Sequence, residues 1–380
     1  MSALEPEVAD VPKTAPDRAF MHANDALAEA AVRAGCTFYA GYPITPHTEI
    51  LEYMSKALPQ VGGTFIQCEQ EIAGISMVYG AAVGGARAMI SSSSTAISLM
   101  QETLSLAAAL EVPFVLVNMA RGGPGLGNLG PSQGDYFQST RGGGHGGYRM
   151  PVLGPSTTQE AADLTMLAFD LADRWRTPVM ILGDAALATT KETVTFATRP
   201  SSASLPDKDW ILTGADGRPP RRLGLESLVE PVEQARHNQH LLDKWALIER
   251  DEVQAEEDGL DSELDLLFVA YGTPARTARQ PLVNLRADGC RIGLLRPITL
   301  WPFPFEAVRQ ALERTRARRV AVIELSAGQL VEDVRLAVEG RVPVDLYPYV
   351  GGTMPTPSQI SEHLLESLRR VESEKEGTSA

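Results

Sequence analysis

Cysteine is scarce in this chain: Cys36, Cys68 and Cys290 are its three copies in 380 residues, and no two are close in sequence. That excludes ferredoxin-type and zinc-type ligand spacing within it, so any iron–sulfur cluster it works with sits on another polypeptide. Long apolar runs are also missing. The longest weakly polar stretch, Ala73 to Ile90, is broken by Arg87 and several glycines, and reads as a buried helix and not as a membrane span. The N-terminal segment MSALEPEVADVPKTAPDR has no apolar core, which points away from a secretory or transit peptide and towards a reduced, cytoplasmic setting. Basic residues are outnumbered, 34 Lys and Arg against 48 Asp and Glu. The resulting charge of −14 argues against nucleic acid or an anionic membrane surface as partner. A basic partner subunit suits it better, and a solvated acidic surface is the plainer alternative.

What is present is the composition of a globular protein, 44% hydrophobic and 22% charged, in a chain longer than one core usually spans. Two domains are expected. Thr37–Ala40, Thr64–Gln67, Ala88–Ser92, Phe114–Met119 and Val179–Leu182 read as strands, several apolar throughout, as strands covered on both faces are. Asn24–Ala34, Ile72–Val83, Ser98–Leu110 and Gln159–Arg174 carry helical spacing between them. The fold class is therefore α/β, with a mainly parallel sheet in residues 19–198 after a disordered tail at 1–18. Composition changes near Arg199. Residues 199–261, with a charged helical stretch from Glu226 to Glu257, read equally as an arm embracing a neighbouring subunit or as a solvated linker. A second α/β domain follows at 262–370, with strands at Leu266–Tyr271, Arg291–Leu295, Ala321–Glu324 and Val344–Pro348, and residues 371–380 read as a disordered tail.

Three segments draw attention for chemistry. Ala40-Gly41-Tyr42-Pro43-Ile44-Thr45-Pro46 places two prolines where an extended run should turn into a helix, holding Tyr42 and Thr45 in set directions. Glu71 follows a strand and opens a helix, where a carboxylate also simply complements the helix dipole. Arg121 stands at the carboxyl end of an apolar strand, a place where open α/β sheets collect ligands. The run Gly125-Leu126-Gly127-Asn128-Leu129-Gly130 spells a dinucleotide fingerprint, yet Pro131 follows and no clean helix opens to hold a phosphate, which disfavours an NAD-dependent dehydrogenase. The glycines at 142–144 and 146–147 suggest a mobile loop carrying one titratable group, His145.

These segments, with RGGPGLGNLGPSQGDYFQSTRGGGHG, LLRPITLWPFP and ELSAGQLVEDVRLAVEG, resemble the alpha subunit of the 2-oxoacid:ferredoxin oxidoreductases. The likeness is greatest to the 3-methyl-2-oxobutanoate (2-oxoisovalerate) branch and extends from about Ala19 to about Leu368. It implies a thiamine diphosphate pyrimidine-type domain followed by a transketolase C-terminal-like domain. The implied reaction is oxidative decarboxylation of a 2-oxoacid to acyl-CoA and CO2. In that family the glutamate matching Glu71 contacts N1′ of the aminopyrimidine ring and favours the tautomer that activates the coenzyme. The arginine matching Arg121 binds the substrate carboxylate, for which a planar guanidinium is suited, and the threonine matching Thr45 contacts a substrate oxygen. Tyr42 and Pro43 match the wall beside the thiamine ring, and His145 is a candidate for meeting substrate or coenzyme A. The diphosphate- and magnesium-binding motif, Gly-Asp-Gly with a later Asn, is absent, and Gly183-Asp184-Ala185 is its nearest approach. A beta subunit is thus expected to supply Mg2+ and diphosphate binding. Gamma and ferredoxin-like delta subunits carrying [4Fe-4S] clusters, and ferredoxin as acceptor, are further partners the resemblance implies.

Two departures bear on the substrate. Many relatives have a Pro-Gly pair after the serine run, where this chain reads Ser91-Ser92-Ser93-Ser94-Thr95, and relatives tend to be acidic where Gly147 stands. Alternatives therefore stay open: 2-oxoglutarate, indolepyruvate or an aryl 2-oxoacid such as phenylglyoxylate, or a non-catalytic assembly subunit. An enzyme for 2-oxoglutarate is expected to offer a second cation, for which Arg141 and Arg149 are candidates.

Overall fold

A computed structural model of the chain describes residues 16–196, 207–215, 217–219, 221, 223 and 229–377. Most of the tail expected at 1–18 and the last three residues of that expected at 371–380 lie outside the described residues, as does much of 199–228. The first part runs β1 (Arg18–His22), α1 (Ala23–Arg33), β2 (Phe38–Gly41), α2 (Thr48–Gln60), β3 (Thr64–Gln67), α3 (Glu71–Val83), β4 (Ala88–Ser92) and α4 (Thr95–Ala109). It continues through β5 (Val115–Ala120), α5 (Tyr136–Thr140), β6 (Val152–Leu153), α6 (Thr158–Trp175), β7 (Val179–Asp184), α7 (Ala185–Thr189) and β8 (Lys191–Thr195). The second part holds α8 (Pro231–Asp251), β9 (Ala255–Asp258), β10 (Leu266–Val269), α9 (Gly272–Ala287), β11 (Ile292–Pro297) and β12 (Thr299–Trp301). It ends with α10 (Phe305–Thr315), β13 (Arg319–Glu324), α11 (Leu330–Val338), β14 (Val344–Pro348) and α12 (Pro357–Gly377).

The first sheet has the strand order β12-β6-β7-β5-β4-β2-β3. Its strands from β6 to β3 all pair in parallel, and only β12 runs antiparallel, on β6. β5 shows why. Val115, Val117 and Met119 pack with residues of α1, α2 and α6 on one face, while Leu116 and Ala120 pack with residues of α3 and α4 on the other. A strand buried on both faces is apolar throughout because neither side meets water. The second sheet, β14-β13-β10-β11-β9, is parallel except for β9.

Three boundaries differ from the sequence reading. β12 comes from the second part of the chain yet closes the edge of the first sheet, and β9, inside the segment read as an arm, is built into the second. The helical stretch read from Glu226 to Glu257 is α8, Pro231–Asp251, and it rests on this chain itself: Lys244 Nζ lies 2.9 Å from a Glu111 carboxylate oxygen. At the C-terminus, α12 continues past Val371 to Gly377, where a disordered tail was expected. Its buried positions Ile360, Leu364, Ser367 and Val371 recur at helical spacing, so the stripe that anchors the helix includes Val371 and polar composition alone concealed it. The two parts are locked by Arg296, 1% exposed, which binds Glu160 of α6 and Glu256 of β9 together.

Candidate active site

In the first sheet the chain leaves β2 for the β3 edge and then returns to the other side of β2 as β4, so the strand order reverses there. Ligand sites of open α/β sheets lie at such a reversal, outside the carboxyl ends of the strands. The turn Tyr42–Pro46 follows β2, Glu71 follows β3, Ser94 follows β4 and Arg121 follows β5. Glu71 and Arg121 thus stand three strand intervals apart, roughly 14 Å at ordinary inter-strand spacing.

Glu71 is the first residue of α3 and is 9% exposed, whereas Glu69 is exposed. Its carboxylate has no hydrogen bond or ion pair among the described residues. The helix is seated against the end of β2 by Gly74, where a Cβ would lie 3.8 Å from the Gly41 Cα and 3.2 Å from Ile90 Cδ1. The N–H of Cys68 donates to the Gly41 carbonyl at 2.9 Å, which fixes the two strand ends side by side. Tyr42 and Thr45 are exposed, and Pro43 is half-buried.

The turn rests on a buried polar cluster that the sequence did not single out. His47 Nδ1 lies 2.9 Å from Ser91 Oγ, which in turn lies 2.6 Å from the Tyr39 hydroxyl, and Asn24 Nδ2 donates to the Pro46 carbonyl at 2.8 Å. Burial pushes the His47 imidazole down to about 3 and the Tyr39 phenol above its ordinary range, so both are neutral. No spacing rule reveals this cluster, since its members come from α1, β2, β4 and the turn.

Arg121 is 8% exposed and carries no carboxylate partner among the described residues. Nη1 donates to the carbonyl of Thr45 at 2.9 Å and Nη2 to that of Leu126 at 3.2 Å, while Nε is buried without a partner. A buried cation bound only by neutral carbonyls is expensive unless an anion joins it. The guanidinium lines a cavity of 510 Å³ between the two parts of the chain, and is the only Lys or Arg among its lining residues. The glycine-rich loop from Gly122 to Gly130 borders that cavity in a closed conformation. The N–H of Gly122 donates to the Gly130 carbonyl and that of Asn128 to the Gly122 carbonyl, both at 2.9 Å. Gly127, with φ +65°, has no room for a Cβ, which would lie 1.6 Å from the Gly122 carbonyl oxygen. The run is therefore a tight loop and not a nucleotide turn, and the next helix, α5, spans five residues.

Asp135 lines the same cavity, and burial raises its carboxyl above the ordinary value while hydrogen bonds from Asn118 and Ser94 pull the other way. It is a site residue the sequence reading missed. Its only signal was its place shortly after the glycine loop.

His145 is not brought to this cavity. It is exposed, on a loop whose glycines serve close approach more than mobility: a Cβ on Gly144 would lie 2.3 Å from the Gln101 carbonyl oxygen, and one on Gly143 would lie 2.8 Å from Gln101 Oε1. Arg141 and Arg149 also point elsewhere, lining a separate cavity of 610 Å³ beside Phe303 and Phe305, with Arg141 paired to Asp333 at 2.9 Å. Asp184, at the nearest approach to a metal motif, accepts from Ala186 N, Leu187 N and Thr273 Oγ1 at 2.9–3.0 Å, and is spent on capping α7 and joining the two parts. No cluster of three or more His, Cys, Asp or Glu able to hold a metal occurs among the described residues, and none of the described helices is long and apolar enough to cross a membrane.

The sequence profile of the family described as pyruvate flavodoxin/ferredoxin oxidoreductase, thiamine diphosphate-binding, matches residues 29–249, and that of pyruvate:ferredoxin oxidoreductase core domain II matches residues 265–360. Ketoisovalerate oxidoreductase subunit VorB of Methanothermobacter thermautotrophicus is 43% identical over 90% of this chain and 96% of its own. 2-Oxoglutarate synthase subunit KorA of the same organism is 36% identical over 92% and 99%. Among solved structures, 2-oxoglutarate:ferredoxin oxidoreductase from Magnetococcus marinus, with 2-oxoglutarate, coenzyme A and succinyl-CoA bound, superposes with a TM-score of 0.80 at 27% identity. The match covers 93% of this chain and spans 65% of that one. A split-gene transketolase, at 13% identity and a TM-score of 0.51, shares the fold. With its two parts in the same order as those profiles and 43% identity to a ketoisovalerate oxidoreductase subunit over nine-tenths of its length, the chain belongs to the 2-oxoacid:ferredoxin oxidoreductase family, as an alpha-type, thiamine diphosphate-binding member.

Proposed function

We propose that this chain is the pyrimidine-binding half of a split active site that decarboxylates 2-oxoisovalerate, or a branched 2-oxoacid close to it, and passes the acyl group to coenzyme A. Thiamine diphosphate, when bound, supplies the carbon nucleophile and the electron sink. Glu71 suits the role of holding a proton at the aminopyrimidine nitrogen, because its carboxylate is buried at a strand end and no group among the described residues uses it. A hydrogen bond made there is strengthened by the low local dielectric. Arg121 binds the carboxylate that all 2-oxoacids share and, through Thr45 and Leu126, is pointed by backbone atoms that do not titrate. Tyr42 and Pro43 form the wall beside the ring.

The observation that carries the substrate choice is the cavity's charge. Arg121 is the only cation among its lining residues, and Arg141 and Arg149 line another cavity. A second substrate carboxylate would have no counter-ion there, whereas a branched alkyl group needs none. The greater identity to the ketoisovalerate subunit than to the 2-oxoglutarate subunit points the same way.

The diphosphate and its Mg2+ belong to a beta subunit, since Asp184 is committed to capping. The electrons go to [4Fe-4S] clusters on further gamma- and delta-type subunits and on to ferredoxin, because three scattered cysteines cannot hold a cluster. An apolar helix supports the partnership: α3, which Glu71 opens, leaves Ile72 (45%) and Met77 (38%) exposed. The test is turnover with coenzyme A and a viologen acceptor. The purified chain should be inactive, and reconstitution with the partner subunits should give a kcat/KM for 2-oxoisovalerate above those for 2-oxoglutarate and phenylglyoxylate. Activity of the chain alone, or preference for 2-oxoglutarate, overturns this reading.

A further inference from the structure

The cavity between the two parts holds an unusual combination. Among the described residues Arg121 has no anion beside it and Asp135 has no cation beside it, although both line the same 510 Å³. Oppositely charged side chains lining one cavity ordinarily close on one another, because their attraction is screened less there than in bulk water. Here they stay more than 4.0 Å apart.

A hydrogen-bond relay explains the separation. The backbone N–H of Arg121 donates to Ser94 Oγ at 3.0 Å, the N–H of Ser94 donates to Asn118 Oδ1 at 3.0 Å, and Asn118 Nδ2 donates to Asp135 Oδ2 at 2.9 Å. Asn118 is fully buried on β5, three residues before Arg121, so its amide is fixed by the sheet. Ser94 sits at φ +29°, a conformation a residue with a side chain seldom adopts, and both of its relay bonds depend on it. Asn118 uses both ends of its amide, the oxygen to hold the Ser94 backbone and the nitrogen to hold Asp135.

We propose that Asn118 is a positioning residue that keeps the Asp135 carboxylate off Arg121, so that the guanidinium stays free for the carboxylate of the incoming substrate. The inference rests on the reading of Arg121 as the carboxylate-binding group. Released from Asn118, Asp135 keeps only its hydrogen bond from Ser94, swings to Arg121 and competes with substrate as an internal anion. This is an inhibition by tethered carboxylate, and it acts on binding more than on the chemical step.

The experiment compares wild type, Asn118→Ser, and Asn118→Ser with Asp135→Asn, in the assembled complex, each first shown folded by thermal melting. Serine keeps a group for the Ser94 N–H but is too short to hold Asp135, and Asn118→Thr takes its place should that variant not fold. The single variant should raise KM for 2-oxoisovalerate by about tenfold or more with kcat within about threefold, and the second substitution should return KM to within about threefold of wild type. A raised KM that persists in the double variant, or a fall in kcat with KM unmoved, overturns the proposal.

An activity-free arm uses the full chain alone: modification of Arg121 by phenylglyoxal, read by peptide mass spectrometry, should slow in Asn118→Ser and recover in the double variant. Equal rates in all three overturn the proposal. Should the wild-type complex turn over no 2-oxoacid, the functional reading fails while this labelling still decides whether Asn118 holds the two charges apart.

Discussion

The guanidinium of Arg121 and the carbonyl of Thr45 meet at 2.9 Å although they leave strands β5 and β2, with β4 lying between them. The bond reaches over the end of a strand. The two-proline turn thereby becomes part of the arginine's setting, and the direction of the guanidinium is decided by backbone that prolines hold stiff.

Arg121→Lys is expected to weaken every 2-oxoacid alike. Lysine keeps the charge but cannot serve Thr45, Leu126 and a substrate carboxylate with one ammonium group. Loss of one charge-assisted bond, about 1.5–3 kcal/mol, corresponds to a fall in kcat/KM of roughly ten- to a hundredfold. The values for 2-oxoisovalerate, 2-oxoglutarate and phenylglyoxylate should drop together. A loss confined to one of them means that Arg121 reads the variable end of the substrate.

Glu71→Gln retains shape and removes the acid. Turnover of the assembled complex should fall at least about a hundredfold, the lower range for general acid–base steps, with little change in affinity for thiamine diphosphate. Exchange of the coenzyme C2 proton, followed by NMR after quenching, isolates this step, and an unaltered exchange rate removes Glu71 from it.

His47 makes the fold sensitive to acid. Its imidazole is lowered from 6.5 to about 3 by burial, so between those values the unfolded chain takes up a proton that the native chain refuses. The native state therefore has its full stability above pH 6.5 and loses it as pH falls towards 3, at up to about 1.4 kcal/mol per pH unit from this one group. In His47→Gln that component is gone. Urea unfolding at pH 7, 6 and 5 should show a shallower decline for the variant than for wild type, and parallel declines rule out His47 as the source.

Gly130→Ala tests the seat of the loop that borders the Arg121 cavity. A Cβ there would stand 2.2 Å from the carbonyl oxygen of Gly352, which is backbone and cannot swing aside. Overpacking of this kind costs about 1–3 kcal/mol. The variant should melt at a lower temperature and exchange amide hydrogens faster at residues 349–354, and an unchanged exchange pattern there shows that the contact is not needed.

Most strands of the two large sheets were legible because burial on two faces leaves short, wholly apolar runs such as Val179–Leu182 and Leu266–Val269. β1, β6, β8, β9 and β12 were not. β6 is two residues long, and the other four pair antiparallel to segments distant in sequence, so their pairing is decided by tertiary contact and not by local pattern. At the site, Glu71, Arg121 and Thr45 stood out because each follows a recognisable strand. Asn118 and His47 did not, since a polar residue inside a buried strand or under a turn reads as ordinary until its hydrogen-bond partners are known. Arg141 and Arg149 show the converse: two cations close in sequence to the glycine loop, carried by the fold to another cavity.

β12 carries a consequence for anyone who would cut this protein at the apparent seam between its two sheets. Three residues, Thr299–Trp301, belong by sequence to the later half and by hydrogen bonding to the earlier one. A truncation ending near residue 261 would leave β6, itself two residues long, as a bare margin with unpaired amides and no cover for Leu153 and its neighbours, the kind of surface that recruits other chains into aggregates. β12 is thus the one strand that stitches the later half into the earlier sheet, beside the side-chain links at Arg296 and Asp184. A soluble early half would have to carry a grafted copy of that strand, or be purified with the later half supplied in trans.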